Sequence, residues 1–260
     1  MTTPWHVVLR SALFNLAFYL VTAGMMLAGI WLLAAPRSWA MKALRWHARI
    51  CLWLLKAICG LRYEIRGENR LPGPPCLIVA KHQSAWDTFA LIPLFKDPAI
   101  VLKAELKQIP LYGWFCVKFE HILVRRERAA VALKAMLSEA KVKSDAGREI
   151  LIFAEGTRRE PGAAPDYKPG YVALYDKLSV PVVPLALNSG LYWPRKSLIR
   201  YPGTIIVEIL ATVPPGLPRA EMRQLVEGAI EATSHRLIEE AGRAPFPPPK
   251  AHEIATTKCA

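Results

Sequence analysis

Cys76-Leu77-Ile78-Val79-Ala80-Lys81-His82-Gln83-Ser84-Ala85-Trp86-Asp87-Thr88 changes character at its middle. The first five residues are all apolar, the length of a buried strand. Pro72-Gly73-Pro74-Pro75 breaks the chain just before them. The second half is polar and places His82 and Asp87 five positions apart. Loops that follow strand ends are where open α/β sheets hold their sites. Across a turn into a helix, this spacing lets the carboxylate meet one ring nitrogen while the other faces outward. A hydroxyl nucleophile needs such a base, because an alcohol is almost un-ionised at neutral pH. The aspartate would fix the tautomer and stabilise the imidazolium. Ser84 could act as a nucleophile instead, but no GxSxG elbow surrounds it.

Working outward, residues 100–102, 121–124, 149–153, 180–187 and 204–210 are further short apolar runs that predict strands. Residues 129–142 have helical periodicity between two of them. Pro218 opens a last helix running to about Ala241. From residue 62 to 242 the pattern is that of one α/β domain. The proline-rich tail over 243–260 is expected to be disordered.

Several of these strands end in cations. Phe153-Ala154-Glu155-Gly156-Thr157-Arg158-Arg159 follows one strand. Gly156 lets the backbone approach a ligand, while Thr157 and the arginines supply donors for an oxyanion or phosphate. Arg125-Arg126 ends another strand, and Lys103 and Lys107 flank Glu105 after a third. Cations gathered at one sheet edge around one histidine suit a substrate bearing phosphate.

The N-terminal 61 residues are of a different kind. Residues 11–36 contain no charge. A helix of about 24 residues at about 1.5 Å per residue covers about 36 Å, enough to cross or deeply enter a bilayer. A signal peptide would have a shorter apolar region and more positive charges ahead of it than Arg10 alone, so residues 11–35 are expected to be a retained anchor. On a helix over 39–61, Lys42, Arg45, Arg49 and Lys56 form one stripe. Trp39, Trp46 and Trp53 edge it, with Ala43, Leu44, Cys51, Leu54, Leu55 and Ile58 opposite. Such a helix is expected to lie in a membrane interface.

The bulk numbers agree. Of 260 residues, 53% are hydrophobic, yet the net charge is +13. An anionic membrane or an anionic substrate accounts for both. Nucleic acid would need a zinc-finger, leucine-zipper or RNA-binding signature, and none is present. Seven basic residues precede the first carboxylate, Glu64, and the basic excess after the apolar span is expected to put that side, and the α/β domain, in the cytoplasm. The five cysteines have no CxxC spacing and no histidine at metal-ligand distance, which predicts reduced core thiols and no metal.

Taken in order, these segments resemble the four motifs of the glycerophospholipid acyltransferase superfamily, and especially its bacterial 1-acylglycerol-3-phosphate acyltransferases. His82-x4-Asp87 resembles the first motif. Leu123-Val124-Arg125-Arg126 resembles the second, with Arg126 as its arginine. Phe153 to Arg158 resembles the third, and Val180-Pro181-Val182-Val183-Pro184 the fourth, with Pro184 as its marker. The stretch from Lys103 through Ile109-Pro110-Leu111-Tyr112-Gly113-Trp114 is similar as well. The likeness covers residues 64–210. Lys81, Ala154 and Arg125 stand where the family often has Asn, Pro and Asp.

The resemblance implies a mixed, mostly parallel sheet flanked by helices, with N-terminal membrane helices, at the inner (plasma) membrane. It implies acyl transfer from acyl-CoA or acyl carrier protein to a lysophospholipid, giving phosphatidic acid, with no cofactor. His82 would be the base and Asp87 its orienting partner. Arg126, Arg158 and Lys103 would hold the phosphate, and Glu155 would position an arginine or a substrate hydroxyl. Backbone donors near Gly156 or Thr157 would serve the oxyanion. The same chemistry on another acceptor, such as lyso-ornithine lipid, is the nearest rival. A serine hydrolase using Ser84 and His82 is a second. A non-catalytic basic membrane module is a third, and it leaves both strand-end motifs unexplained.

Overall fold

The computed structural model describes residues 3–125 and 129–257. The chain begins with α1 (Trp5–Ala28), turns through a 3-10 segment (Ile30–Leu33) and returns as α2 (Arg37–Leu54), which ends in a π turn, Leu55–Cys59. The α/β domain then alternates β1 (Leu61–Arg66), β2 (Leu77–Ala80), α3 (Trp86–Ala90), β3 (Ala99–Lys103), α4 (Tyr112–Lys118), β4 (Ile122–Val124) and α5 (Ala129–Asp145). It continues with β5 (Ile150–Phe153), α6 (Gly170–Leu178), β6 (Val182–Leu187), α7 (Ser189–Tyr192), β7 (Gly203–Ile209), α8 (Arg219–Gly242) and α9 (Pro249–Thr257).

The seven strands form one sheet in the order β1-β7-β6-β2-β5-β3-β4. Every neighbouring pair is parallel except β6 with β7. The expected mixed, mostly parallel sheet is therefore present. Its central strands β2, β5 and β6 are buried along their whole length. That burial is why they read as unbroken apolar runs rather than alternating ones. Alternation still sorts their side chains: Ile78 and Ala80 join the core under α1, α2 and α3, while Leu77 and Val79 join the core under α5, α6 and α8.

The N-terminal pair packs onto the domain. Phe14 of α1 is fully buried and meets the Trp193 ring edge-on at 5.6 Å. Ser11 Oγ accepts the Arg200 N–H at 2.9 Å, and Asn15 Nδ2 donates to the Leu198 carbonyl at 2.8 Å. On α2, Trp39, Trp46 and Trp53 are exposed, while Ala48, Cys51 and Leu52, with Leu55 of the π turn, are buried against the domain. Among the described residues, α1 is the one helix long and apolar enough to cross a membrane. It starts six residues before the expected Ser11 and ends at Ala28, where Gly29 begins the turn.

Two expectations differ from the structure. β1 is not foreseen from the sequence: Leu61-Arg62-Tyr63-Glu64-Ile65-Arg66 is an edge strand with three charges and no apolar run. The tail expected to be disordered carries α9. Proline at the first helical position costs no hydrogen bond, so Pro249 opens this helix, and Ala251 is fully buried.

Candidate active site

Parallel pairing brings the C-terminal ends of β6, β2, β5, β3 and β4 to one edge of the sheet. β2 delivers His82 there, and the chain turns at once into α3, whose first turn carries Asp87. His82 Nδ1 lies 2.9 Å from Asp87 Oδ2. The same oxygen accepts the backbone N–H groups of Gln83 (2.8 Å) and Ser84 (2.9 Å). The other oxygen accepts the Ser189 hydroxyl at 2.5 Å. Asp87 is fully buried, and four donors converge on its carboxyl group. A carboxylate only accepts, so the proton in the pair belongs to His82 Nδ1 and Nε2 is left as the base. The imidazole stacks on Phe153 of β5, with ring centroids 4.0 Å apart and an interplanar angle of 20°. Two contacts therefore fix the ring: its tautomer from below and its plane from the side.

The 153–159 turn sits beside it. Arg159 N–H donates to the His82 carbonyl at 2.8 Å, and Ala154 N–H to that of Ala80 at 3.0 Å. Gly156 adopts φ +66°, a conformation that favours glycine. Thr157 and Arg158 are partly exposed on this turn. Lys103 is exposed at the end of β3 and Arg125 just beyond β4. Arg126, the expected phosphate ligand, lies outside the described residues.

Two of the expected site residues are buried. Glu155 is 1% exposed. Its side chain is buried beneath the edge, with Oε1 3.9 Å from Lys81 Nζ and accepting the Asp166 N–H at 3.4 Å. Burial raises its pKa, and the Lys81 ammonium opposes that shift. Lys81 is itself buried and bonds Glu231 of α8 at 2.5 Å, while Tyr167 donates to the same Glu231 oxygen at 2.8 Å. Pro184 is a buried residue inside β6, opposite Val79, so it packs the sheet rather than contacting a ligand at its edge.

Ser189 and Gln83 were not foreseen. Ser189 lies two residues past the apolar run that forms β6, and strand-end position is the signal that could have found it. Gln83 Oε1 accepts the Gly190 N–H at 3.1 Å. A Cβ on Gly190 would lie 2.9 Å from both Gln83 Cβ and Pro161 Cγ, so the three loops meet only because this residue is glycine. Ser84 is buried, and its Oγ accepts the Trp86 N–H at 3.2 Å, a local turn contact that does not pair it with His82.

Beside the His82–Asp87 segment lies an apolar cavity of about 330 Å³. Ala85, Thr88 and Phe89 line it from the domain, Phe18 and Met25 from α1, and Leu44 from α2. Among the described residues, no cluster of His, Cys, Asp or Glu could hold a metal ion, and the four described cysteines are free and buried.

A histidine–aspartate base at the end of a central strand, with an apolar cavity beside its segment, is suited to moving a group between an alcohol and an apolar donor. Residues 62–188 match the family model "Acyltransferase". It is similar to the 1-acyl-sn-glycerol-3-phosphate acyltransferase of Pseudomonas aeruginosa, at 39% identity over 62% of this chain and 63% of that one. It is also similar to human 1-acyl-sn-glycerol-3-phosphate acyltransferase beta, at 30% identity over 70% of this chain and 66% of the relative. Each match thus spans just under two thirds of the relative's length. The fold is that of the crystal structure of the 1-acyl-sn-glycerophosphate acyltransferase PlsC from Thermotoga maritima. The TM-score is 0.74 at 23% identity, covering 89% of this chain and 97% of that one.

Proposed function

We propose that this protein transfers a fatty acyl group from a thioester to the free hydroxyl of 1-acylglycerol-3-phosphate, giving phosphatidic acid. The observation that carries this reading is the His82–Asp87 contact, which leaves Nε2 as the base on a segment whose next residues, Ala85, Thr88 and Phe89, line an apolar cavity. The relatives named above supply the acceptor. His82 Nε2 takes the hydroxyl proton as the oxygen attacks the thioester carbon. The tetrahedral intermediate then collapses, the C–S bond breaks, and the imidazolium returns its proton to the departing thiolate. Asp87 stabilises the imidazolium in between. Arg158, Lys103 and Arg126 hold the phosphate, and backbone donors near Gly156 and Thr157 serve the oxyanion. The donor is acyl-CoA or acyl carrier protein. α1 and α2 hold the enzyme in the inner membrane with the site on the cytoplasmic side, where the acceptor lies.

The test is an assay of the purified full chain with lysophosphatidate and each donor, read by lipid mass spectrometry. Wild type should make phosphatidate, and His82→Ala should make it at least about 10²-fold more slowly. Near-normal turnover by a folded His82→Ala protein would refute the mechanism. A higher kcat/KM on lyso-ornithine lipid would replace the acceptor and keep the chemistry.

A further inference from the structure

We propose that the turn and helix over residues 104–118 form a second lipid-contacting surface, inserted in the same bilayer as α1. The inference rests on the membrane placement of α1 given above. Residues 104–118 carry Ile109, Tyr112, Trp114 and Val117, which are 46%, 36%, 53% and 47% exposed. Four large apolar side chains within nine positions is more apolar surface than a water-facing segment needs.

The segment is held rigid. A Cβ on Gly113 would lie 2.2 Å from the Lys107 carbonyl oxygen, so the turn folds back onto the helix only with glycine there. Leu111 takes φ +61°, a strained value for a non-glycine residue. The Tyr112 N–H donates to the Pro110 carbonyl at 2.7 Å and the Phe115 N–H to the Leu111 carbonyl at 3.0 Å. Ile109 and Trp114 are thus presented outward by a fixed backbone.

The segment is also joined to the turn that links α1 to α2. Phe115 and Phe119 are buried in one cluster with Leu32, Ala40 and Met41. Gly29 lies against the same cluster, 3.9 Å from the Phe115 ring as measured from the position of a Cβ. Lys118 Nζ donates to the Ala35 carbonyl at 2.5 Å. Leu27 at the end of α1 and Ile30 and Trp31 of the linking turn are exposed as well, on the segment that Leu32 joins to α4. A helix apolar enough to enter a bilayer cannot do so with this end without carrying α4 to the same surface. Tryptophan and tyrosine favour the headgroup level, and the exposed Lys103 and Lys107 suit lipid phosphates. Tyr112 and Phe115 also line the apolar cavity together with Met25 and Met26 of α1. A lipid tail could then pass from bilayer to cavity between two membrane-embedded walls.

The test uses the full chain in vesicles of phosphatidylglycerol and phosphatidylethanolamine, with Cys259→Ser; the other four thiols are buried. Spin labels are placed singly at Trp114→Cys and Val117→Cys, at Leu16→Cys on α1 (59% exposed) and at Val142→Cys on α5 (68% exposed). Relaxation by oxygen, which enters lipid, is compared with relaxation by a water-soluble nickel chelate. Labels at 114 and 117 should follow the one at 16, with oxygen dominant, and the label at 142 should show the reverse. Ile109→Cys replaces Trp114→Cys if that variant does not fold. Nickel-dominant labels at 114 and 117 beside an oxygen-dominant label at 16 would overturn the proposal and spare the membrane reading. Nickel-dominant labels at all four positions would overturn both. Protection from both reagents would mean that protein, such as a second copy of this chain, covers α4, and would also overturn it.

Discussion

Replacing Asp87 by Asn isolates what the carboxylate charge does. The side chain keeps its size. Its amide oxygen can stay where Oδ2 is, under the His82 Nδ1–H and the two backbone N–H groups. Its amino group then faces Ser189, whose hydroxyl can turn to accept instead of donate. Geometry and fold should therefore survive. The ion pair that forms when His82 takes the substrate proton should not. Two unit charges about 4 Å apart interact by about 4 kcal/mol at an effective dielectric of about 20. At about 1.4 kcal/mol per decade, the chemical step should slow about a thousandfold. The assay is steady-state acyl transfer at saturating donor and acceptor, with thermal unfolding in the same detergent as control. The effect should fall on kcat and leave the acceptor KM nearly unchanged, because Asp87 is buried behind the histidine and touches no phosphate ligand. A folded Asp87→Asn enzyme within about tenfold of wild type would refute the assignment of His82 as a base that becomes charged during the reaction.

Arg158→Ala should raise the acceptor KM about 10- to 100-fold, the equivalent of one charge-assisted contact, and an unchanged KM would remove Arg158 from the phosphate site. Lys81→Met leaves Glu231 and Glu155 with no buried cation and should cost about 3–5 kcal/mol; Lys81→Met with Glu231→Gln should recover part of it, measured as a double-mutant cycle in unfolding. His121 is buried, and its Nδ1 accepts the Ile100 N–H, so it stays neutral in the fold with its pKa pushed down to about 3. The unfolded chain, with an ordinary histidine pKa near 6.5, then binds the proton first as the pH falls. The contribution of His121 to stability is whole above that value and declines below it, by about 1.4 kcal/mol per pH unit. Between pH 7 and pH 5 wild type should lose about 2 kcal/mol more than His121→Asn, and equal acid sensitivity would show that His121 is not held neutral.

The parts of the site legible in the sequence were those set by local physics. Buried strands show as apolar runs, and parallel pairing sends each following loop to one edge, so His82, Asp87, Arg158 and Lys103 could be gathered without knowing the strand order. What escaped depends on distant partners. Ser189 is 102 positions from the carboxylate it serves. β1 is a strand because β7 lies beside it, and its own residues carry three charges. The resemblance implies that Glu155 positions an arginine or a substrate hydroxyl beside Thr157 and Arg158, yet its side chain is buried. The left-handed Gly156 lies between them and turns the chain, so residues on its two sides need not point the same way. Pro184 marks a motif, but it sits three residues inside a strand whose edge carries the chemistry.

Lys81 gathers these points. Standing alone in the sequence, a lysine where the resembled family often has asparagine looks like a loosened motif. Folded, it lies under β2 on the opposite side from His82, because alternate residues of a strand face opposite ways. A buried ammonium is costly unless it is paired. The pairing comes from Glu231, 150 positions away on α8, which also accepts the Tyr167 hydroxyl. Glu155 completes the cluster at 3.9 Å. The lysine thereby ties the strand that carries the base to the turn that carries Arg158, and ties both to one helix. Base and turn are consequently held as a unit from beneath.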